Sequence, residues 1–430
     1  MKMQGGVYKR GAILSSGLSL IAKGVAFVMQ ILIAYYYGAN SDTDIYFYLF
    51  GLSTLLGSII QSTTTSILIP QAIYLRNNSS HKEEMGYLNA FLYSLLCIIG
   101  VIILIGGLFG VNTMKLISNF SSVDLERNID VFYFSLLMTI LYITNTFISE
   151  IFVSYKYFTS SLLMNLALNF GIILSVLLFH TVCGVSSMIK GACLVMIICL
   201  FLFVLLMKRK LKWKFGYINF RYLNKSKKAI MALLGNQCLM VFETTFPLFL
   251  LSQFQPGLIT IVNYATKLIQ APLGWIQQVV AVLQIKLNEL VSKHQIHEVY
   301  KLTSQISWKL FGITLCIATA IFFTRNFIAD TLYGLGSMPQ DSIHQLATLL
   351  GILVFSMPFT TWGLIYGKIY FANQYIKRYV TLMIIMYSTS CILHYVLITY
   401  FKETGYAIAY VLTEILIAFS LYIGIKRNAQ

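Results

Sequence analysis

Charge is scarce in this chain. Of 430 residues, 11% are charged and 58% hydrophobic, and acidic side chains number only 15. Soluble domains carry roughly a quarter charged residues, so a soluble enzyme is excluded. Cysteine pairing is missing too. The seven cysteines, at 97, 183, 193, 199, 238, 316 and 391, form no CxxC pair and sit mostly among apolar neighbours. That pattern suggests neither a disulfide framework nor a zinc site and leaves small core residues. There is no GxxxxGK[ST] phosphate loop and no acidic metal-binding motif, so neither direct use of ATP nor a resident metal is expected. The first apolar stretch, starting near Gly11, ends without a small-residue cleavage pattern and reads as a retained helix, not a removed signal peptide. Large outer loops are also lacking: the longest, 112–130 and 326–342, are too short for the acceptor and catalytic groups of a glycan polymerase or ligase. The expectation is a protein that is not an enzyme and has no cofactor.

Hydrophobic sequence in long blocks is what the chain has in quantity. Crossing a hydrocarbon core of roughly 30 Å takes about 20 apolar residues in a helix. Blocks bounded by charge, Gly, Pro or Asn clusters put spans near 11–37, 44–74, 87–111, 131–155, 158–180, 184–207, 229–251, 258–285, 305–325, 343–369, 378–400 and 404–425. The predicted fold class is all-α: a polytopic membrane protein of twelve transmembrane helices. Basic residues test the count, because a missed span would move every later loop to the wrong side. With a cytoplasmic N-terminus, 23 of the 31 basic residues fall in inside segments and four, Lys115, Arg127, Arg325 and Lys402, fall outside. Lys23, Lys190, Lys267 and Lys309 lie within or at the edges of spans. This is a strong positive-inside bias, and it puts both termini in the cytoplasm. The net charge of +16 then follows from topology and attraction to anionic membrane lipids, with no nucleic acid required.

The longest polar segment, Lys208–Lys228, divides the spans six and six. The domains are accordingly an N-terminal six-helix lobe (1–207), a basic cytoplasmic linker (208–228) and a C-terminal six-helix lobe (229–430). Trp213, Phe215, Tyr217 and Phe220 alternate with basic residues in the linker, a pattern suited to the headgroup surface. The lobes echo one another faintly. YYYGANSDTDIYFYLFGLSTLLGS and QFQPGLITIVNYATKLIQAPLGW each place a turn before an aromatic-containing helix with early polar groups, Asp42 and Asp44 in one, Asn263 and Lys267 in the other. Internal duplication is common in alternating-access transporters.

The run from Lys23 through Gly38-Ala39, Asp44 and Pro70, together with GNQCLMVFETTFPLFLLSQFQPGLITIVNYATKLIQAPLGW at 235–275, resembles the lipid II flippase (MurJ/MviN) family of the multidrug/oligosaccharidyl-lipid/polysaccharide exporter superfamily. The resemblance is clearest over 20–75 and 230–290. It implies a V-shaped pair of six-helix bundles around a cationic cavity in the bacterial inner membrane. Such a protein moves an undecaprenyl-pyrophosphate-linked headgroup from the cytoplasmic to the outer leaflet. Lys23 and Lys267 stand where the family has basic residues. Met29, Gly57 and Ser58 stand where it has arginines, and Thr266 where it has an acid. The scaffold therefore matches better than the lipid II recognition residues. A capsular or O-antigen repeat unit is an alternative cargo.

Charges inside apolar spans are expensive and tend to face a cavity or a partner. Lys23, in mid-span, reads as a cavity cation or half of a structural ion pair. Lys267 reads as a substrate or coupling residue. Ammonium groups suit a diphosphate that must later be released, being compact hydrated donors without the fixed fork of arginine. Asn236, Gln237, Asn263, Asn165 and Asn169 offer hydrogen bonds to sugar hydroxyls, the last two one turn apart on one face. Interhelical bonding accounts for them, and for Asn145, equally well. Glu243 and Glu414 are the candidates for a proton or sodium ion, because a buried carboxylate needs a proton or a nearby cation. Asp44 is a gating candidate, although it and Asp42 could simply cap the second helix. Lys190 reads as a group reaching the interface, and Glu150 as an interfacial group or a local ion pair. Pro70, Pro247, Pro272 and Pro358 allow bends.

Together these readings give a flippase for a polyprenyl-pyrophosphate-linked glycan working by alternating access. Coupling to Na+, H+ or the membrane potential stays open, nothing demands an oligomer, and glycan assembly enzymes are the expected associates. The other reading is a cation-coupled multidrug or small-molecule antiporter on the same scaffold.

Overall fold

The computed structural model describes residues 2–293, 295–373 and 375–429, with side chains at most positions between Gly17 and Ile425. Every regular element among the described residues is helical: α1 (Lys2–Tyr37), α2 (Ser41–Thr63), a π-helical turn (Thr64–Leu68), α3 (Ile69–Asn78), α4 (His81–Phe109), α5 (Val111–Ile117), α6 (Ser122–Arg127), α7 (Ile129–Ser154), α8 (Ser160–Cys183), α9 (Ser186–Lys210), α10 (Phe220–Leu251), α11 (Leu258–Ser292), α12 (Ile296–Tyr333), α13 (Gln340–Leu353), α14 (Ser356–Ala372) and α15 (Ile376–Ala429). In hydrocarbon a helix satisfies every backbone group within its own segment, which is why apolar blocks of this length take that form.

Local chemistry sets the boundaries. Ser80 caps α4 by accepting from the Glu83 N–H, and Glu83 and Glu84 occupy the positive first turn. The π turn lies directly before Pro70. The proline ring clashes with the carbonyl four residues back and supplies no N–H, so the widened turn lets the chain continue as helix.

Among the described residues nine helical stretches are long and apolar enough to cross a membrane, or ten when α13 and α14, bent by 43°, are taken as one span. All twelve predicted segments are helical. The eighth, in α11, misses the apolar criterion; it carries Asn263, Lys267, Gln270, Gln277, Gln278 and Gln284. The last two share α15, which is broken at Lys402 (φ 49°, ψ −125°), inside the gap 401–403 between the two predicted spans.

The chain forms two compact units. The first comprises 1–37 and 41–241, the second 38–40 and 242–430. In the first, α2 packs on α7, α1 on α8, and α9 on both α7 and α8. Segment 211–219 folds against α4. The Asn89 side-chain amide donates to the carbonyls of Lys214 (2.8 Å) and Tyr217 (2.8 Å), and its oxygen accepts from the Trp213 indole (2.9 Å). Trp213, which the sequence pattern assigns to the headgroup surface, is only 3% exposed and belongs to the apolar core. Gly86 permits this approach: a Cβ there would lie 2.6 Å from the Tyr217 ring.

In the second unit α14 packs on α12 and α15, and α13 on α11 and α12. Trp362 on α14 gathers Trp308, Phe311, Phe419 and Tyr422 around it. The turn 38–40 belongs to this unit. Gly38 (φ 64°), in the turn between α1 and α2, and Gly257 (φ 91°), directly before α11, both take left-handed backbone, a conformation shared by the echoed turns that glycine adopts without strain.

Candidate functional site

In the first unit, Lys23 lies on a face of α1 shared with Phe27, Gln30 and Ala34. Ala34 and Gln30 are buried and Phe27 half-buried, whereas Lys23 is exposed. The face is thus closed near the end of the helix and open at the lysine. On α8, Asn165 and Asn169 are half-buried, one turn apart, on the helix that packs against α1. On α10, Gln237 donates to Ser62 Oγ at 3.0 Å, while Asn236 Oδ1 is buried without a partner. Asp44 is buried in the first turn of α2. Its neighbour Asp42 is engaged by Arg127 and accepts from Asn128 at 2.7 Å.

Other charges of this unit are absorbed by structure. Lys190 pairs with Asp130 at 3.3 Å and donates to Ser186. Glu150 is buried and accepts from Gln61 at 2.7 Å; no ion pair among the described residues includes it, so the interfacial or ion-pair reading gives way to a buried hydrogen bond from an amide. Asn145 donates to the carbonyls of Leu141 and Met196, tying α7 to α9. The strongest network has no counterpart in the sequence reading. Fully buried Glu84 accepts from Arg76 Nε (3.0 Å to each oxygen) and from the Tyr155 hydroxyl (2.8 Å), with His81 at 3.0 Å. Arg76 stacks 3.5 Å from the Tyr155 ring centroid.

In the second unit, α11 sets Asn263 and Lys267 one turn apart on one face. Lys267 is exposed and its Nζ is 3.4 Å from Gln270 Oε1; Asn263 Oδ1 is buried without a partner. Glu243 and Glu414 come together here in one cluster with α15. Ser390 donates to Glu243 Oε1 at 2.7 Å, and Thr413 donates to Ser390 Oγ at 3.2 Å. Glu414 lies beside Thr360 of α14 and within electrostatic range of Glu243. His394 completes the group, with Nδ1 3.2 Å from Ser390 Oγ and 2.9 Å from the Ser390 carbonyl. Sequence reasoning missed His394 and Ser390. Their spacing of four puts them on one face of α15, but only the packing of that face toward Glu243 of another helix marks them out. No group of His, Cys, Asp and Glu among the described residues is arranged to hold a metal ion.

Chemically, each unit offers an exposed ammonium and half-buried amides near it in sequence or on a neighbouring helix. Ammonium groups bind phosphate oxygens, and amides hydrogen-bond hydroxyls.

The family model for the lipid II flippase MurJ matches residues 33–430. A probable lipid II flippase MurJ of Borreliella burgdorferi is 29% identical over 39% of this chain, a match spanning only 33% of that protein. One from Buchnera aphidicola is 22% identical over 92% of this chain and 80% of that protein. Among solved structures, a lipid II flippase MurJ in an inward closed conformation aligns with a TM-score of 0.82 at 17% identity, covering 96% of this chain and 87% of that one. An inward-facing multidrug resistance MATE family transporter aligns at 0.75 and 13% identity, covering 95% and 94%. These structural likenesses establish an α-helical multi-pass membrane fold. With its model match running from residue 33 to residue 430, the chain belongs to the lipid II flippase MurJ family.

Proposed function

We propose that this chain is a flippase that carries lipid II, an undecaprenyl-pyrophosphate-linked glycan, from the cytoplasmic to the outer leaflet of the bacterial inner membrane. The family match over 33–430 carries the reading. Lys23 and Lys267 each present an ammonium to the diphosphate during its passage, and Asn165, Asn169, Asn236, Gln237 and Asn263 serve the sugar hydroxyls. The polyprenyl tail stays in lipid. No covalent bond changes, so this is transport and not catalysis. Alternating access needs only that the headgroup-binding groups be open to one side at a time. Asp44 is assigned to gating, and Glu243 and Glu414 to ion coupling. The basic segments bind anionic lipids, and the protein works as a monomer beside the enzymes that assemble the glycan. Met29, Gly57 and Ser58, which stand where the family resemblance leads one to expect arginines, keep a different lipid-linked repeat unit as the competing cargo. The MATE likeness concerns fold alone and does not favour a drug antiporter.

The test is headgroup translocation in proteoliposomes, comparing lipid II with another undecaprenyl-pyrophosphate oligosaccharide. Lipid II should move, and Lys23→Ala or Lys267→Ala should slow it by roughly tenfold or more, the worth of a charge-assisted hydrogen bond, with folded protein retained in the membrane. Normal flipping by both single variants would remove the lysines from the mechanism. Preferential movement of the other oligosaccharide would change the cargo.

A further inference from the structure

A hydrogen-bond chain in the second unit has more structure than ion coupling by two carboxylates requires. The Ser390 hydroxyl donates to Glu243 Oε1 (2.7 Å), accepts from Thr413 Oγ1 (3.2 Å) and faces His394 Nδ1 (3.2 Å). Nδ1 also lies 2.9 Å from the Ser390 carbonyl, which can only accept. In neutral imidazole one nitrogen bears hydrogen and the other a lone pair. Nδ1 is therefore the N–H, and Nε2 holds the lone pair. His394 is 2% exposed and its Nε2 is buried with no hydrogen-bond partner. An orphaned buried acceptor is costly, and here it sits at the end of a chain that leads to a carboxylate. Neither Glu243 nor Glu414 belongs to any ion pair among the described residues.

We propose that His394, Ser390 and Glu243 form a proton relay whose ligand is a proton taken up at His394 Nε2 and delivered to Glu243. The step balances without a co-reactant. As a proton binds Nε2, the Nδ1–H bond breaks and that hydrogen passes to Ser390 Oγ; the original Ser390 O–H bond breaks and its hydrogen joins Glu243 Oε1. The imidazole ends neutral in its other tautomer, the serine is unchanged and the carboxylate has become a carboxylic acid. Thr413 holds the serine oxygen in place throughout. Tyr387, Cys391, Tyr406, Tyr410 and Glu414, all on α15, are the titratable groups that interact with Glu243. From α11 and α14 the nearby groups are the Thr266 and Thr360 hydroxyls, beside Tyr406 and Glu414, and on α10 itself the Thr244 hydroxyl lies beside Glu243. Among the described residues no ammonium or guanidinium forms an ion pair with either carboxylate, which leaves the relayed proton as the charge that neutralises Glu243 in the proposed step. A hard metal cation would require a cage of oxygen ligands, and the end of this chain is a ring nitrogen.

The relay rests on the flippase reading for its purpose and not for its chemistry, so the two are tested separately. Infrared difference spectroscopy on the full chain in lipid, after a downward pH jump, should show a protonated-carboxyl band that Glu243→Gln removes. Ser390→Ala and His394→Gln should slow its appearance by roughly tenfold or more, the scale of a lost proton-transfer group. In the wild-type protein, ¹⁵N NMR of labelled histidine should show His394 changing from the Nδ1–H to the Nε2–H tautomer over the same pH interval, a readout that needs no folded variant. The proposal is overturned if wild type shows no band assignable to Glu243, if both relay variants form it at the wild-type rate, or if the tautomer stays fixed. It is equally overturned if sodium chloride, but not N-methylglucamine chloride, abolishes the band at constant pH, which would make the site a metal-cation site. An intact band in a protein that moves no lipid-linked substrate would leave the relay standing and sink the flippase reading.

Discussion

Glu84 in the first unit and Glu243 in the second are both carboxylates held in helical packing, but their surroundings differ in charge. Glu84 meets the Arg76 guanidinium, the Tyr155 hydroxyl and His81, so its charge is matched where it sits. Glu243 meets the hydroxyls of Ser390 and Thr244 and, more distantly, a second carboxylate. Single groups show the same contrast, though not unit by unit. Lys190 has Asp130 and Asn89 has four polar partners, whereas His394 Nε2 and Asn263 Oδ1 in the second unit, and Asn236 Oδ1 in the first, have none. A fully matched buried group fixes structure; an unmatched one is kept at a cost, and that cost is the physical reason for reading it as functional.

The contrast is breakable by mutation. The largest expected effect is Glu84→Ala, which leaves Arg76 without its buried partner. Breaking a buried pair costs about 3 kcal/mol or more, so thermal unfolding in detergent should shift strongly downward. Glu243→Gln, which keeps the side-chain shape and removes no cationic partner's counter-charge, should leave the same melting curve nearly in place. Equal destabilisation by the two would erase the distinction. Next is Asn89→Ala. Losing its bonds to 213–217 should cost about 2 kcal/mol and make trypsin cut faster at Lys212 and Lys214; unchanged cleavage would mean that Trp213 alone holds the segment. The smallest effect is expected near the end of α11. Hydrogen bonds from Lys293 and Lys286 hold the Glu289 carboxyl below the usual carboxylate range. Its contribution is present above the ordinary carboxylate pKa and fades as the pH falls through the lowered one. Because the site is exposed, Glu289→Gln should alter stability only marginally.

Much of this was legible along the chain. Hydrophobic length gave the helices, and the break at Lys402 was visible as a single basic residue with polar neighbours between two apolar blocks. Glu243 and Glu414 could be singled out because a carboxylate in an apolar span is conspicuous on its own. His394 and Ser390 could not, since a histidine and a serine in a transmembrane helix become informative only beside a carboxylate from another helix. Asn89 and Gly86 were equally silent, as their role depends on a segment more than 120 residues away returning to α4.

The sequence by itself determined that the chain is an all-α membrane protein and where its helices run, because hydrocarbon imposes a length and a composition on every span. Only the tertiary structure decided which polar groups are neutralised by a partner and which are left open. That distinction depends on distances of about 3 Å between residues far apart in sequence, a quantity that spacing along one helix does not contain.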